Sequence, residues 1–266
     1  MSEYSGKRVV GGFDASKQVV VFAGPCAIES EEQFEQVCAC VASLGLHWVR
    51  GGAFKPRTNP HSFQGLGLRG LQIMNRVANK HRLLTLSEVI DAEHIDVVDE
   101  YSDGLQIGAR NMTNYSLLKT IGEKTAQTKK LVFFKRGMAA TVSEWLSAAE
   151  YITSSGNDNV VLCERGLRTF ETATRYTLDI SAVPVVQKQS VLPICVDVSH
   201  PAGQADLVPA LACAALASGA DAIMIEVHPH PQTALSDGPQ QLNLEQFASL
   251  IGRLRTLAAA MGKEIV

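Results

Sequence analysis

Short apolar runs recur along the chain, and each is followed by a turn and a segment with helical spacing of apolar residues. The runs are continuously apolar, which is typical of parallel strands that are buried on both faces. The predicted strands are 19–26, 46–52, 83–89, 104–110, 131–137, 160–166, 193–200 and 222–228. The segments between them, such as EEQFEQVCACVASL and ATVSEWLSAAEYI, predict amphipathic helices.

Eight predicted strands alternating with helices match the size and pattern of a (β/α)8 TIM barrel, a fold of the α/β class. We therefore predict a single-domain barrel over residues 19–266. A doubly wound open sheet is the alternative, because periodicity does not show whether a sheet closes. Residues 1–18 are predicted to be an N-terminal extension or a short β-hairpin that closes the bottom of the barrel.

A polar or reactive residue stands at the end of every predicted strand. In a barrel these ends meet at one rim, where the active sites of this fold lie. In chain order the residues are Cys26, Arg50, Glu88, Arg110, Lys135, Arg165, His200 and Glu226. Eight such residues in register predict an enzyme.

Four of these residues are cations, and the stretch RGGAFKPRTNP adds Lys55 and Arg57. Cations crowded on one rim repel one another and lose hydration unless anions lie among them. Arginine and lysine side chains suit phosphate and carboxylate groups. We expect a pocket for more than one anionic group. The alternative is a set of structural ion pairs with Glu88, Glu164 and Glu226.

Cys26, His200 and Glu226 follow strands that are neighbours in a closed barrel, and Asp237 lies in the loop after the last strand. A thiolate, an imidazole and two carboxylates fit Mn, Fe, Co or Zn better than Mg or Ca. The alternative is that Cys26 is an inert core thiol and His200 a satisfied polar side chain.

Composition restricts the partners. The chain has 266 residues, with 24 Lys and Arg against 27 Asp and Glu, a net charge of −3. It has no dense basic run, so we expect no nucleic-acid partner. No apolar run approaches the roughly 18 residues of a membrane span, and the N-terminus lacks a signal-peptide pattern. We therefore expect no membrane partner and a cytoplasmic location.

Seven motifs together resemble those of the 3-deoxy-D-arabino-heptulosonate 7-phosphate (DAHP) synthases. They are AGPCAIES, RGGAFKPRTNPHSFQGLG, IGARNM, FKRGMAAT, CERGLRTFE, DVSHPAG and MIEVHPHPQTALSDGPQQL. The resemblance is to the compact subgroup of the type I branch, which lies close to the 3-deoxy-manno-octulosonate 8-phosphate synthases. It implies a (β/α)8 barrel that condenses phosphoenolpyruvate with erythrose 4-phosphate and water and releases phosphate. This reaction is the first step of the shikimate pathway to the aromatic amino acids.

The resemblance also implies a role for each site residue. The ligands of a divalent metal ion would be Cys26, His200, Glu226 and Asp237. Phosphoenolpyruvate would be bound by Arg50, Lys55, Arg110, Lys135 and Arg165. The phosphate of the aldose would be bound by Arg57 and Thr58. The predicted catalytic residues are Lys55, Lys135, Glu88 and His200.

The segment KPRT favours erythrose 4-phosphate, because octulosonate synthases carry a segment similar to KANRSS at this place. The alternatives are a synthase that uses another aldose, such as arabinose 5-phosphate, and a catalytically idle anion-binding barrel. The chain departs from the family pattern at Val198, Pro201 and His230, which leaves its metal preference open.

Little sequence lies outside the predicted barrel, so we expect no regulatory domain and little direct feedback inhibition by Phe, Tyr or Trp. The resemblance implies a homo-oligomer, either a dimer or a tetramer.

Overall fold

The structure, a computed structural model, describes residues 8–55 and 61–266. Each of the eight predicted apolar runs overlaps one strand of the main sheet, β3 to β10, as predicted. In chain order the strands are β1 (Val9–Val10), β2 (Phe13–Asp14), β3 (Gln18–Gly24), β4 (Trp48–Arg50), β5 (Leu84–Val89), β6 (Gly104–Ile107), β7 (Leu131–Lys135), β8 (Val160–Glu164), β9 (Ile194–Asp197), β10 (Ala222–Glu226) and β11 (Glu264–Ile265).

The sheet closes on itself. Each strand from β3 to β10 pairs in parallel with the next, and β10 pairs in turn with β3. The register of this closing pair runs from Ala222 opposite Val20 to Glu226 opposite Gly24. The (β/α)8 barrel is therefore confirmed, and the open-sheet alternative is wrong.

Helices alternate with the barrel strands, and most of them cover the outside of the barrel. They are α1 (Glu31–Ser43), α2 (Leu68–His81), α3 (Ile95–Tyr101), α4 (Tyr115–Thr125), α5 (Val142–Thr153), α6 (Ala182–Gln189), α7 (Ser199–Ala202), α8 (Val208–Ala217) and α9 (Leu244–Ala260). Local sequence explains several starts, because Ser30 caps α1 and capping boxes begin α5 and α9. No helix within the described residues has the length and apolar character needed to span a bilayer.

Alternate strand residues face opposite sides of the sheet. Outward residues such as Val21 and Val196 pack against the helices in the larger apolar cluster. Inward residues such as Phe22, Phe133 and Met224 fill the barrel interior in a second cluster. Toward the carboxyl ends of the strands, this inward series turns polar. The side chains that continue it are Arg50, Glu88, Gln106, Lys135, Arg165, Asp197 and Glu226.

The other end of the barrel is closed by the two chain ends. Strands β1 and β2 form an antiparallel hairpin, as expected for the N-terminal segment, and Val10 is buried in the interior cluster. A Cβ at Gly11 would lie 2.4 Å from Nε1 of Trp48, so the hairpin turn fits only with glycine at this position. Strand β11 pairs with β3, and Val266 is buried beside Val10 in the same cluster. The domain boundary at residues 18 and 19 stays a prediction.

We predict that Phe22→Ala lowers the free energy of unfolding by about 3–5 kcal/mol, because it leaves a cavity in the barrel interior. Phe22 is fully buried, and its ring centroid lies 5.2 Å from that of Trp48 and 5.0 Å from that of Phe133. Phe170→Ala is the control: Phe170 is 97% exposed. Its removal should change the free energy by less than about 0.5 kcal/mol. Equal effects of the two changes in a denaturant titration would contradict this packing.

Candidate active site

A cavity of about 350 Å³ opens at the carboxyl ends of the barrel strands. Its lining residues include most of the predicted site residues, brought together from seven of the eight strand ends. They are Arg50, Lys55, Ser62, Glu88, Gln106, Gly108, Ala109, Arg110, Lys135, Met138, Arg165, Arg175, Tyr176, His200 and Asp237. A larger cavity of about 620 Å³ lies near the opposite ends of β8 and β9, but no lysine or arginine lines it.

The strand ends differ in detail from the sequence-based expectation. Arg50, Lys135 and Glu226 are the last residues of their strands. Arg110, however, lies in a short 3-10 turn after β6, and His200 lies in helix α7 after β9. Their side chains reach the same cavity because short turns fold back over the rim. Arg57 and Thr58, predicted to bind the aldose phosphate, lie outside the described residues.

Six cations line this cavity within the described part of the chain: Arg50, Lys55, Arg110, Lys135, Arg165 and Arg175. At least three of them form ion pairs within the protein, and NH1 of Arg175 lies 3.2 Å from Oδ1 of Asp237. Arg50 NH1 lies 3.0 Å from Oε1 of Glu226, and Lys135 Nζ lies 2.7 Å from Oδ2 of Asp197. Both pairs are buried.

Glu164 pairs with none of the rim cations that the structure describes. It lies on the outward face of β8, where its Oε2 accepts from NH1 of Arg136 at 2.8 Å. Oδ2 of Asp179 accepts from the same NH1 at 2.9 Å. These three charged side chains therefore hold the start of the loop after β7 on the outward side of the sheet. Because successive side chains of a strand point to opposite faces of the sheet, Glu164 points outward and Arg165 points inward. For these rim cations, the alternative of an ion pair with Glu164 is therefore wrong.

Several buried polar atoms of the cavity have no hydrogen-bond partner among the residues that the structure describes. They are Nε of Arg50, NH1 of Arg165 and Oε1 of Gln106. Buried polar groups in folded proteins are nearly always paired, so orphaned donors on two arginines indicate a site that binds an anionic ligand. The guanidinium of Arg165 is held from one side, because its Cζ lies 4.0 Å from the ring centroid of Tyr176.

Three potential metal ligands lie side by side at the edge of this cavity. One ligand atom from each of Cys26, Glu226 and Asp237 lies within 4.8 Å of the other two. His200 borders this cluster, with Nε2 at 3.6 Å from Oε1 of Glu226. Burial lowers the pKa of His200, which favours the neutral imidazole that binds metals.

The protonation of the cluster follows from its surroundings. Burial, reinforced by the Glu226 carboxylate, raises the pKa of Cys26 to about 12. Its thiol lies 3.3 Å from Oδ2 of Asp237 and donates to it. Burial opposes the ionisation of Asp237, but His200 and Arg175 lower the pKa of this carboxyl to about 2. One soft sulfur beside two carboxylates fits a divalent transition metal, with the thiol proton displaced on binding.

Two adjacent glutamines fix these ligands in place. Gln240 Nε2 donates to Oε2 of Glu226 at 2.6 Å, and its Oε1 accepts from NH1 of Arg175 at 2.6 Å. Gln241 accepts from the backbone N–H of Cys26 at 3.1 Å and donates to the carbonyl of Ser236 at 2.9 Å. The loop after β10 is thus fastened to the first and last strands of the barrel. Such outer contacts orient metal ligands.

Asp197 connects the cation side to the histidine. Its Oδ2 accepts from Nζ of Lys135, and Nδ1 of His200 lies 2.7 Å from the same oxygen without the alignment of a hydrogen bond. Burial disfavours its charge, but the protonated form of His200 and the ammonium of Lys135 hold the pKa of Asp197 well below its usual range. The carboxylate therefore stays ionised between two groups of the site.

Sequence reasoning missed several residues of the site: Gln106, Arg175, Tyr176, Asp197, Gln240 and Gln241. Gln106 and Asp197 could have been found from the two-residue period along their strands. Arg175 and Tyr176 lie in the loop after β8, where no periodicity predicts which side chains turn toward the cavity.

Comparison with known proteins identifies the family of the chain. The DAHP synthetase I family matches residues 5–260 of the chain. The phospho-2-dehydro-3-deoxyheptonate aldolase of Thermotoga maritima is 47% identical over 92% of this chain and 71% of its own. A 2-dehydro-3-deoxyphosphooctonate aldolase of Desulfosudis oleivorans is 30% identical over 91% of each chain.

Solved structures give the same result. The crystal structure of the phospho-2-dehydro-3-deoxyheptonate aldolase (DAHP synthase) of Thermotoga maritima matches with a TM-score of 0.90 and 46% identity, over 94% of this chain and 72% of that chain. A truncated form of 3-deoxy-D-arabino-heptulosonate 7-phosphate synthase from Thermotoga maritima matches with a TM-score of 0.87 and 43% identity, over 94% and 90% of the two chains. The resemblance seen in the motifs is confirmed, and the chain belongs to the DAHP synthetase I family.

Proposed function

We propose that the protein condenses phosphoenolpyruvate with erythrose 4-phosphate and water to give DAHP and phosphate, the first step of the shikimate pathway. The observation that carries this proposal is one cavity lined by six cations and bordered by the Cys26, Glu226 and Asp237 cluster. Both substrates are anionic, and a carbonyl acceptor benefits from a nearby Lewis acid. The higher identity to the heptonate aldolase than to the octonate aldolase supports erythrose 4-phosphate as the acceptor.

The phosphoenolpyruvate site would be formed by Arg50, Lys55, Arg110, Lys135 and Arg165. The buried, unpartnered atoms of Arg50 and Arg165 support this assignment, because a phosphate or carboxylate oxygen would satisfy them. Lys55 Nζ donates to the carbonyl of Cys26 at 3.1 Å, so it adjoins the ligand cluster. Arg57 and Thr58 are proposed for the phosphate of the aldose.

The family uses a divalent metal ion. Its ligands here would be Cys26, Glu226, Asp237 and His200, whose donor set suits Mn, Fe, Co or Zn. When bound, such an ion supplies Lewis acidity toward the aldehyde oxygen.

The residues of this chain would then position the reactants for formation of a carbon–carbon bond, addition of water and loss of phosphate. The electron pair of the C2–C3 double bond of phosphoenolpyruvate forms the bond to the aldehyde carbon, and the aldehyde oxygen takes a proton. Water adds at C2 and loses a proton, which leaves a hydroxyl and the phosphate ester on C2. The bond from C2 to the ester oxygen then breaks, and the hydroxyl proton passes to the departing phosphate as the ketone forms. Lys135, held by Asp197, would donate the proton to the aldehyde oxygen, and Glu88 would lie near the reacting carbons. The cations offset the repulsion between two anionic reactants.

The setting of this activity is also a proposal. We propose a cytoplasmic enzyme that acts on small molecules and assembles into a dimer or tetramer. Weak feedback inhibition by aromatic amino acids stays a prediction.

Phosphate release tests the function directly. With manganese present, we expect phosphoenolpyruvate to release phosphate with erythrose 4-phosphate at a kcat/KM at least about 100-fold above that with arabinose 5-phosphate. Equal or faster release with arabinose 5-phosphate would assign the chain to the octulosonate reaction. No release with either aldose would favour an idle anion-binding barrel.

Removal of the thiol tests the metal cluster. We expect Cys26→Ala to weaken binding of cobalt(II) by at least about 100-fold, more than the loss of an outer-shell contact would cost. The variant should also lack the thiolate-to-cobalt charge-transfer absorption. Cys213→Ala is the control, because Cys213 is a half-buried free thiol on helix α8. Cobalt absorption that persists in Cys26→Ala, or is lost in Cys213→Ala, would contradict the proposed ligand set.

A further inference from the structure

The carboxylate of Glu88 lies between two residues of the neighbouring strand and its turn. Glu88 on β5 stands opposite Gln106 on β6 in the strand register. Nε2 of Gln106 donates to Oε2 of Glu88 at 3.2 Å. Both side chains line the cavity, so this contact orients one oxygen of the Glu88 carboxylate there.

The other oxygen of Glu88 lies against Gly108. A Cβ at Gly108 would lie 2.1 Å from Oε1 of Glu88 and 3.2 Å from its Cδ. The backbone of Gly108 is extended, with φ −67° and ψ 156°, a conformation that any residue adopts. Space for the carboxylate, rather than backbone strain, is therefore the reason for glycine at this position.

The turn that carries Gly108 is fixed relative to β5. Nδ2 of Asn111 donates to the carbonyl of Ile90 at 2.8 Å, and the N–H of Asn111 donates to the carbonyl of Gly108 at 2.9 Å. The turn cannot retreat from Glu88 without breaking these bonds. A side chain added at Gly108 would displace the flexible end of Glu88 rather than the backbone.

The amide oxygen of Gln106 indicates a role in the site. Gln106 is only 3% exposed, and its Oε1 has no hydrogen-bond partner in the described part of the chain. A buried amide with one end bonded to Glu88 and the other unpaired is costly unless a donor from a ligand or water completes it.

We infer that Gly108 and Gln106 are positioning residues that together form a seat for the Glu88 carboxylate and set how far it reaches toward the reacting carbons. This inference rests on the proposed function. It also gives the motif IGARNM a physical basis: Gly108 makes room for Glu88, Arg110 lines the cavity and Asn111 ties the turn to β5.

A double-mutant cycle tests the seat. We expect Gly108→Ala to lower kcat at least about 10-fold, with KM for phosphoenolpyruvate changed less than about 3-fold, because displacement of a catalytic group by about 1 Å acts on the chemical step. In a Glu88→Asp background, the same change should cost less than about 3-fold, because coupling between contacting residues disappears when one of them is shortened. Cγ of Glu88 lies 4.0 Å from the added Cβ, so a carboxyl carbon at that point clears it.

The controls separate displacement from misfolding. Gly252→Ala, where an added Cβ meets nothing within 4 Å, should leave kcat unchanged. If Gly108→Ala fails to fold, Gln106→Met takes its place in the cycle, with the same expected loss in kcat and the same attenuation in Glu88→Asp. An equal loss in both backgrounds, or an unchanged kcat, would overturn the inference.

Crystal structures of the wild type and Gly108→Ala distinguish this inference from the proposed function. A carboxylate of Glu88 that moves by about 1 Å, the scale on which active-site geometry matters, supports the seat whether or not the wild type releases phosphate. A wild type that is inactive with both aldoses would contradict the proposed function alone. An unmoved carboxylate would overturn the seat alone.

Discussion

The charge imbalance at the rim of the barrel is the constraint on which the site depends. Six cations line a single cavity above an apolar interior, and few carboxylates face them in the described part of the chain. Like charges in a partly dehydrated site repel one another, and each loses hydration. The pairs of Arg50 with Glu226 and Lys135 with Asp197 offset part of this cost. The remaining imbalance favours the entry of anionic ligands.

The two carboxylates of the metal-ligand cluster also contact arginines that line the cavity. Glu226 shares one oxygen with Arg50 and the other with Gln240, while Asp237 lies 3.2 Å from NH1 of Arg175 and 3.3 Å from the thiol of Cys26. A change in charge at the cluster therefore alters the field at the cations. Binding of a metal ion and binding of anionic substrates should be coupled through these shared groups, because each draws on the same carboxylates.

Strand periodicity made much of this architecture predictable. Continuous apolar runs predicted the barrel strands, and the residues at their ends predicted most of the cavity lining, because parallel strands bring their carboxyl ends to one rim. Glu164 shows the limit of this reasoning, since a shift of one residue along a strand moves a side chain to the other face. Arg175, Tyr176 and Gln240 were not predictable, because they lie on loops whose paths are set by tertiary contacts. Arg57 and Thr58 lie outside the described residues, so their roles stay a prediction.

The claim that the rim cations form an anion-binding site is tested most directly by the melting temperature of the chelator-treated protein with and without phosphoenolpyruvate. A ligand that binds only the folded state stabilises it, by about 2.7 kcal/mol at 100 times its dissociation constant. We predict a rise of several degrees with phosphoenolpyruvate, a smaller rise with pyruvate at matched ionic strength, and loss of the difference in Arg165→Met. Equal melting temperatures with phosphoenolpyruvate, with pyruvate and without ligand would contradict the claim that these cations form an anion-binding site.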